Sequence, residues 1–168
     1  MKVLFKKLVL EAQKPKFGKP GDAGADLIAI SLDLSREGQI VYGTGIAVEI
    51  PEGMVGLVFP RSSVRNYDLS MSNSVGVIDS GYRGEIMVTF NVNVQNITYQ
   101  NIHDLIDSQE LDNENRWKNS FEQDLKYYEV GDRIAQLVII PVPLAKYVEV
   151  EELSETQRGT DGHGSTGN

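Results

Sequence analysis

The 168 residues suffice for one domain, and a hydrophobic content of 40% can fill a core. With no cysteine and two histidines, disulfides, thiolate metal sites, cysteine nucleophiles and His-rich metal clusters are excluded, and a Ser-His-Asp triad is disfavoured. A formal net charge of −8 argues against direct nucleic-acid binding, so a polyphosphate substrate would need local basic groups and a divalent cation.

The opening run, Met1-Lys-Val-Leu-Phe-Lys-Lys-Leu-Val-Leu10, mixes lysines with apolar residues as a strand does, without the unbroken apolar core of a signal peptide. No apolar run reaches the roughly 18 residues needed to span a bilayer, so no membrane contact and a cytoplasmic location are expected. Short apolar stretches at 3–10, 24–30, 39–50, 53–60, 84–94, 133–142 and 146–150 alternate with Gly- and Pro-containing turns. Their Val and Ile content predicts an all-β sandwich or barrel. Neither a Rossmann glycine fingerprint after a strand nor a Walker loop occurs.

Asp22-Ala-Gly-Ala-Asp-Leu27 sets Asp26 at a strand start, where its carboxylate can cap a turn or hold a hydrated Mg²⁺. Phe59-Pro-Arg-Ser-Ser-Val64 places the Arg61 guanidinium beside the Ser62 and Ser63 hydroxyls just after an apolar strand, as a phosphate clamp or a polar turn. The run from Asn73 to Glu85 carries Asp79 among apolar neighbours, with glycines at 76, 81 and 84 and the aromatic Tyr82. It reads as a strand-turn-strand hairpin, with Val75 and Val77 on one side of a Ser-Gly turn and Ile86, Val88 and Phe90 on the other. Such a hairpin can bring backbone groups close to a flat ligand and tune Asp79 as a base by partial burial, or be an ordinary hairpin with an Asp cap.

Residues 94–126 break the pattern. Seven acids (Asp104, Asp107, Glu110, Asp112, Glu114, Glu122, Asp124) face three bases (Arg116, Lys118, Lys126), so −4 of the net charge lies here. Helical spacing of Ile102, Leu105, Ile106 and of Trp117, Phe121, Leu125 predicts an insertion with one or two short helices, either packed on its parent domain or serving as a partner-binding lobe. Further on, Gly131-Asp-Arg-Ile-Ala-Gln-Leu-Val-Ile139 sets one polar side chain, Gln136, among strand formers; Asp132 and Arg133 read as a turn with a surface or subunit ion pair. The last ten residues hold four glycines and no aliphatic side chain. They form either a disordered tail or, with Arg158, a phosphate-wrapping arm.

Five of these runs, in this order, resemble the motifs of the homotrimeric dUTPases: Ala23-Gly-Ala-Asp-Leu27, Pro60-Arg-Ser-Ser63, Asn73 to Glu85, Gly131-Asp-Arg-Ile-Ala-Gln136, and Arg158-Gly-x-x-Gly-His-Gly-Ser-Thr-Gly167. The acidic insertion is similar to that of staphylococcal phage dUTPases. The resemblance implies a distorted β-barrel of jelly-roll type over 1–157 with the insert at 94–126, and a flexible arm over 158–168. It implies hydrolysis of dUTP to dUMP and pyrophosphate with Mg²⁺. Asp79 would activate a water against the α-phosphorus. Tyr82 would stack under the deoxyribose and reject a 2′-hydroxyl. Asn73 with the backbone of Gly76, Val77 and Ile78 would read uracil, and Met87 would line the nucleoside pocket. Arg61, Ser62 and Ser63 from a neighbouring subunit would hold the phosphates with Gln136, and Asp26 would meet Mg²⁺ through water. Arg158, Gly162, His163, Gly164, Ser165 and Thr166 of a third subunit's arm would close over the substrate. His163 departs from the family's usual Phe, and His163→Phe is expected to tighten closure.

Two other classes fit parts of this pattern. A dCTP deaminase shares the fold, but deamination needs a further acid–base group, and the Tyr82 segment and glycine arm fit hydrolysis better. A nucleotide-sensing binding protein would use the 94–126 lobe, where some staphylococcal phage dUTPases suggest a pathogenicity-island repressor as partner.

Overall fold

The computed structural model describes residues 1–93 and 125–160. Ten strands run through them: β1 (Leu4–Lys7), β2 (Ala25–Ile28), β3 (Ser31–Leu34), β4 (Ile40–Gly43), β5 (Ile46–Glu49), β6 (Met54–Pro60), β7 (Leu69–Met71), β8 (Gly76–Ile78), β9 (Met87–Val92) and β10 (Arg133–Pro141). One 3-10 helix, Ser62–Asn66, follows β6. Every ladder is antiparallel: β2-β10-β6-β8 form one sheet, β3-β4-β9-β7 a second, and β1 pairs with β5. This all-β arrangement is the jelly-roll type expected from the sequence.

The core lies between the two four-stranded sheets. Alternation along β9 buries Val88 and Phe90, and along β6 it buries Gly56 and Val58, as period-2 pleating requires. Leu27, Val58 and Leu137 from one sheet share a cluster with Ile40, Tyr42, Leu69 and Phe90 from the other. Each large side chain so buried contributes about 1.5–3 kcal/mol. Aromatic rings knit one end of it. Tyr42 meets Phe90 edge-on at 5.8 Å between centroids, and Tyr128 lies 5.7 Å from Phe90 and 4.0 Å from Tyr67.

Three details differ from the sequence reading. The 39–50 stretch is two strands, split at Thr44 and Gly45, where Gly45 takes a φ of 64°. The expected hairpin around Ser80-Gly81 is not a ladder: β8 pairs with β6, and β9 pairs with β4 and β7. The segment between them therefore passes from one sheet to the other. Finally, 146–150 forms no strand; Leu144, Tyr147, Val148 and Leu153 are all exposed, with Tyr147 at 95%. A strand needs a partner edge, and among the described residues this segment finds none.

Both flanks of the 94–124 segment are held by one residue. Asn93 N–H donates to the Asp68 carbonyl (2.8 Å), Asp68 N–H to the Lys126 carbonyl (2.8 Å), and Lys126 N–H to Asp68 Oδ2 (2.8 Å). No helix among the described residues is long and apolar enough to cross a membrane.

Candidate active site

The sequence-predicted residues fall into two groups on opposite ends of β6. The first gathers around Asp26. Register sets Asp26 on β2 opposite Gln136 on β10, and Gln136 opposite Phe59 on β6. Arg61 leaves the end of β6 and turns its guanidinium back across the sheet. Its Nε donates to Asp26 Oδ1 at 2.9 Å and its Nη1 to Ser63 Oγ at 3.4 Å. Gln136 Nε2 donates to the same Asp26 oxygen at 3.3 Å, and Arg133 Nη1 to Oδ2 at 3.4 Å. Gly24 makes the close approach possible, since a Cβ there would stand 2.9 Å from Gln136 Cβ.

Two guanidiniums share one buried carboxylate here, so the cluster carries an uncompensated positive charge and retains free N–H donors. That suits a polyanion. Asp26 is only 7% exposed, and both its oxygens accept from cations or an amide. Among the described residues no cluster of three acids or histidines could hold a metal. The donor set thus fits phosphate oxygens better than a bare cation, and Mg²⁺ fits as a companion of a triphosphate. Arg133, expected in a surface or subunit ion pair, is half-exposed and pairs with Asp26 of its own chain.

The second group surrounds Asp79. Val77, Tyr82 and Met87 are exposed at 62%, 42% and 58%, an apolar rim beside an exposed carboxylate. Ser74 takes a left-handed φ of 57° between Asn73 and Val75. Tyr82 N–H donates to the Asp79 carbonyl (3.0 Å), and the Tyr82 hydroxyl donates to the Glu85 carbonyl (2.9 Å), laying the ring over Gly84. Arg83 Nη1 donates to the Ser80 (2.6 Å) and Tyr82 (2.8 Å) carbonyls and so closes the turn. The far end is pinned in the core: Gly45 N–H donates to Glu85 Oε1 (2.7 Å) and Thr44 Oγ1 to the Ile86 carbonyl (2.6 Å). Thr44 and Glu85 were not singled out by sequence, because their roles arise only from this long-range pairing.

The register separates Ile78, the neighbour of Asp79, from Arg61 within one chain. Ile78 faces Gly56 near the start of β6, whereas Arg61 follows its end. At about 3.3 Å per residue, the five positions from Gly56 to Arg61 set Ile78 and Arg61 roughly 17 Å apart along the sheet. Arg158 is exposed near the end of the described chain. Gly162, His163, Gly164, Ser165 and Thr166 lie outside the described residues, as does most of the insert.

The dUTPase family model matches residues 11–104 and 117–167. This chain belongs to the dUTPase family. A deoxyuridine 5′-triphosphate nucleotidohydrolase of Nocardia farcinica is 41% identical over 155 residues, covering 91% of this chain and 78% of the relative. Among solved members, the Staphylococcus bacteriophage 80alpha dUTPase with dUpNHpp is 30% identical with a TM-score of 0.74, over 99% of both chains. That protein is described among phage dUTPases that control transfer of virulence genes by a proto-oncogenic G protein-like mechanism. A mutant dUTPase from phage phi11 of S. aureus is 28% identical (TM-score 0.65, 90% of this chain and 98% of the other), and its structure is described as revealing the coordination of a structural Mg(II) ion.

Proposed function

We infer that the chain hydrolyses dUTP to dUMP and pyrophosphate. The observation that carries this reading is family membership across nearly the whole chain, joined to two groups of the right chemistry. Asp79 takes a proton from water, whose oxygen attacks the α-phosphorus. The bond to the bridging oxygen breaks, and its electron pair leaves with pyrophosphate. Arg61, Ser62, Ser63 and Gln136 hold the phosphates and fix the line of attack. Asn73 and the backbone of Gly76, Val77 and Ile78 read the uracil edge, where a mismatched base would leave buried polar groups unpaired. Tyr82 and Met87 pack against the nucleoside. Mg²⁺, when bound, would neutralise charge on the triphosphate, and Asp26 would be the carboxylate that helps hold it. Arg158 and the arm at Gly162, His163, Gly164, Ser165 and Thr166 cover the substrate.

The reading requires a homotrimer. The separation along β6 of Ile78, the neighbour of Asp79, from Arg61 supports completion of each site by a second copy. The exposed apolar segment containing Leu144, Tyr147, Val148 and Leu153 supports it as well, since such surface ordinarily finds a partner.

Pyrophosphate release from dUTP, dTTP, dCTP and UTP, measured in parallel with Mg²⁺, tests the activity. Release from dUTP alone, reduced 10²- to 10⁴-fold (roughly) in Asp79→Asn, is the expected outcome. Ammonia release from dCTP would favour the deaminase, and no turnover of any nucleotide would sink the enzyme reading.

A second role has one observation behind it: the description of the 80alpha protein as controlling transfer of virulence genes. We propose that the 94–126 region recruits a repressor protein. Excision of 94–124 with hydrolysis intact and repressor binding lost is the expected result; retained binding refutes it.

A further inference from the structure

Ser63 is gripped from two sides. Its Oγ accepts from Arg61 Nη1 at 3.4 Å and lies 3.3 Å from the Tyr128 hydroxyl. Tyr128 is 1% exposed and tightly located. Its carbonyl accepts from the Tyr42 hydroxyl at 2.7 Å, and its ring lies 4.0 Å from that of Tyr67, which caps the 3-10 helix carrying Ser63. The aromatic core thus presents one hydroxyl to the phosphate-binding cluster from behind.

We propose that Tyr128 is a positioning residue for the triphosphate: its hydroxyl fixes the Ser63 hydroxyl and, through it, the orientation of the Arg61 guanidinium. The inference rests on the reading of Arg61 and Ser63 as phosphate-holding residues. A guanidinium is planar and has five donors. Asp26 takes Nε–H and Ser63 takes one Nη1–H, which leaves three N–H groups in one plane for an anion. Two anchors on different atoms stop rotation about the terminal bonds, so the fork is set before substrate arrives. The Ser63 anchor holds only while its own oxygen is held. When Tyr128 donates to it, Ser63 Oγ accepts from both Tyr128 and Arg61 and keeps its proton to donate to a phosphate oxygen. Burial pushes the Tyr128 phenol up, which keeps it protonated and able to donate. The ring remains in Tyr128→Phe, so the core packing does too.

The test uses the full chain with four variants: Tyr128→Phe, Ser63→Ala, the double variant and Arg61→Ala. Affinities for dUpNHpp and dUMP, steady-state constants for dUTP and Tm are measured for each. Tyr128→Phe is expected to weaken dUpNHpp and raise KM roughly tenfold, the loss of one hydrogen bond to a charged assembly. Affinity for dUMP and Tm should change little, and Tyr128→Phe should add nothing in the Ser63→Ala background. Unchanged dUpNHpp affinity, an equal loss for dUMP, or additive effects of the two substitutions would overturn the proposal. If Tyr128→Phe fails to fold, Ser63→Ala reads the same contact from its other end, and a wild-type dUpNHpp affinity there overturns it too. Arg61→Ala separates the two levels. If it leaves dUpNHpp binding intact, the phosphate reading itself falls; if it weakens binding while Tyr128→Phe does not, only the positioning role falls.

Discussion

At the scale of single residues, the space around Gly84 decides where Tyr82 can lie. The Tyr82 ring rests where a Gly84 side chain would stand, held there by its hydroxyl on the Glu85 carbonyl. Gly84→Ala must lift the ring, yet it touches little of the core. The expected outcome is a fall in kcat/KM for dUTP of roughly tenfold or more with Tm nearly unchanged, measured by steady-state kinetics and thermal melts. Asp79, Tyr82, Arg61 and Gln136 can be singled out as candidates in the sequence because each sits in a short motif of distinctive residue types. Arg133 and Tyr128 cannot. Arg133 reaches Asp26 across 107 positions and Tyr128 reaches Ser63 across 65, and no local pattern signals a contact of that span.

Strands were legible as apolar runs, but their partners were not. A Ser-Gly turn between two β-forming runs reads as a hairpin, because local signals fix the turn and not which edge each strand joins. Here β8 and β9 find earlier partners, β6 and β4, and Asp79 sits on a crossover between sheets. The three-residue β7 is not legible, because its Leu69–Met71 run is too short to show a period. Two phenols, Tyr42 on β4 and Tyr127, carry a pH consequence. Burial raises the pKa of Tyr42, and burial with the nearby Glu129 raises that of Tyr127, whose hydroxyl has no hydrogen-bond partner among the described residues. Both stay protonated in the fold, whereas an unfolded phenol ionises near pH 10 (about). Their stabilisation is complete below that pH and declines above it, by up to about 1.4 kcal/mol per pH unit for each phenol. Tyr127→Phe should be neutral or slightly stabilising at pH 7 and should flatten the alkaline decline of denaturation midpoints. A variant that melts as steeply above pH 10 (about) as the parent would refute this.

For the whole molecule, the separation of Asp79 from Arg61 makes a prediction about mixtures. If each site takes Asp79 from one copy and Arg61 from another, Asp79→Asn and Arg61→Ala chains are each inactive alone. Co-assembled in equal amounts, they should regain about a quarter of the parent activity, because chance supplies both intact groups at one site in about four. Activity at the level of either variant alone would place the whole site in one chain. The all-β class is legible through periodicity; assembly is proposed only through the family, since an interface between copies leaves no period to read.

The grip of Asp68 on both Asn93 and Lys126 has a consequence for how this chain can vary. The described chain thus departs at Asn93 and is held again at Lys126 beside the same residue, Asp68. Exchanging roughly thirty residues for four would alter the closure entropy by only about 2 kcal/mol, and in the stabilising direction. Asp68 is in that sense a splice point. Segments of different length and chemistry can be grafted there while the strands, the aromatic core and the Asp26–Arg61 cluster keep the solution they already have.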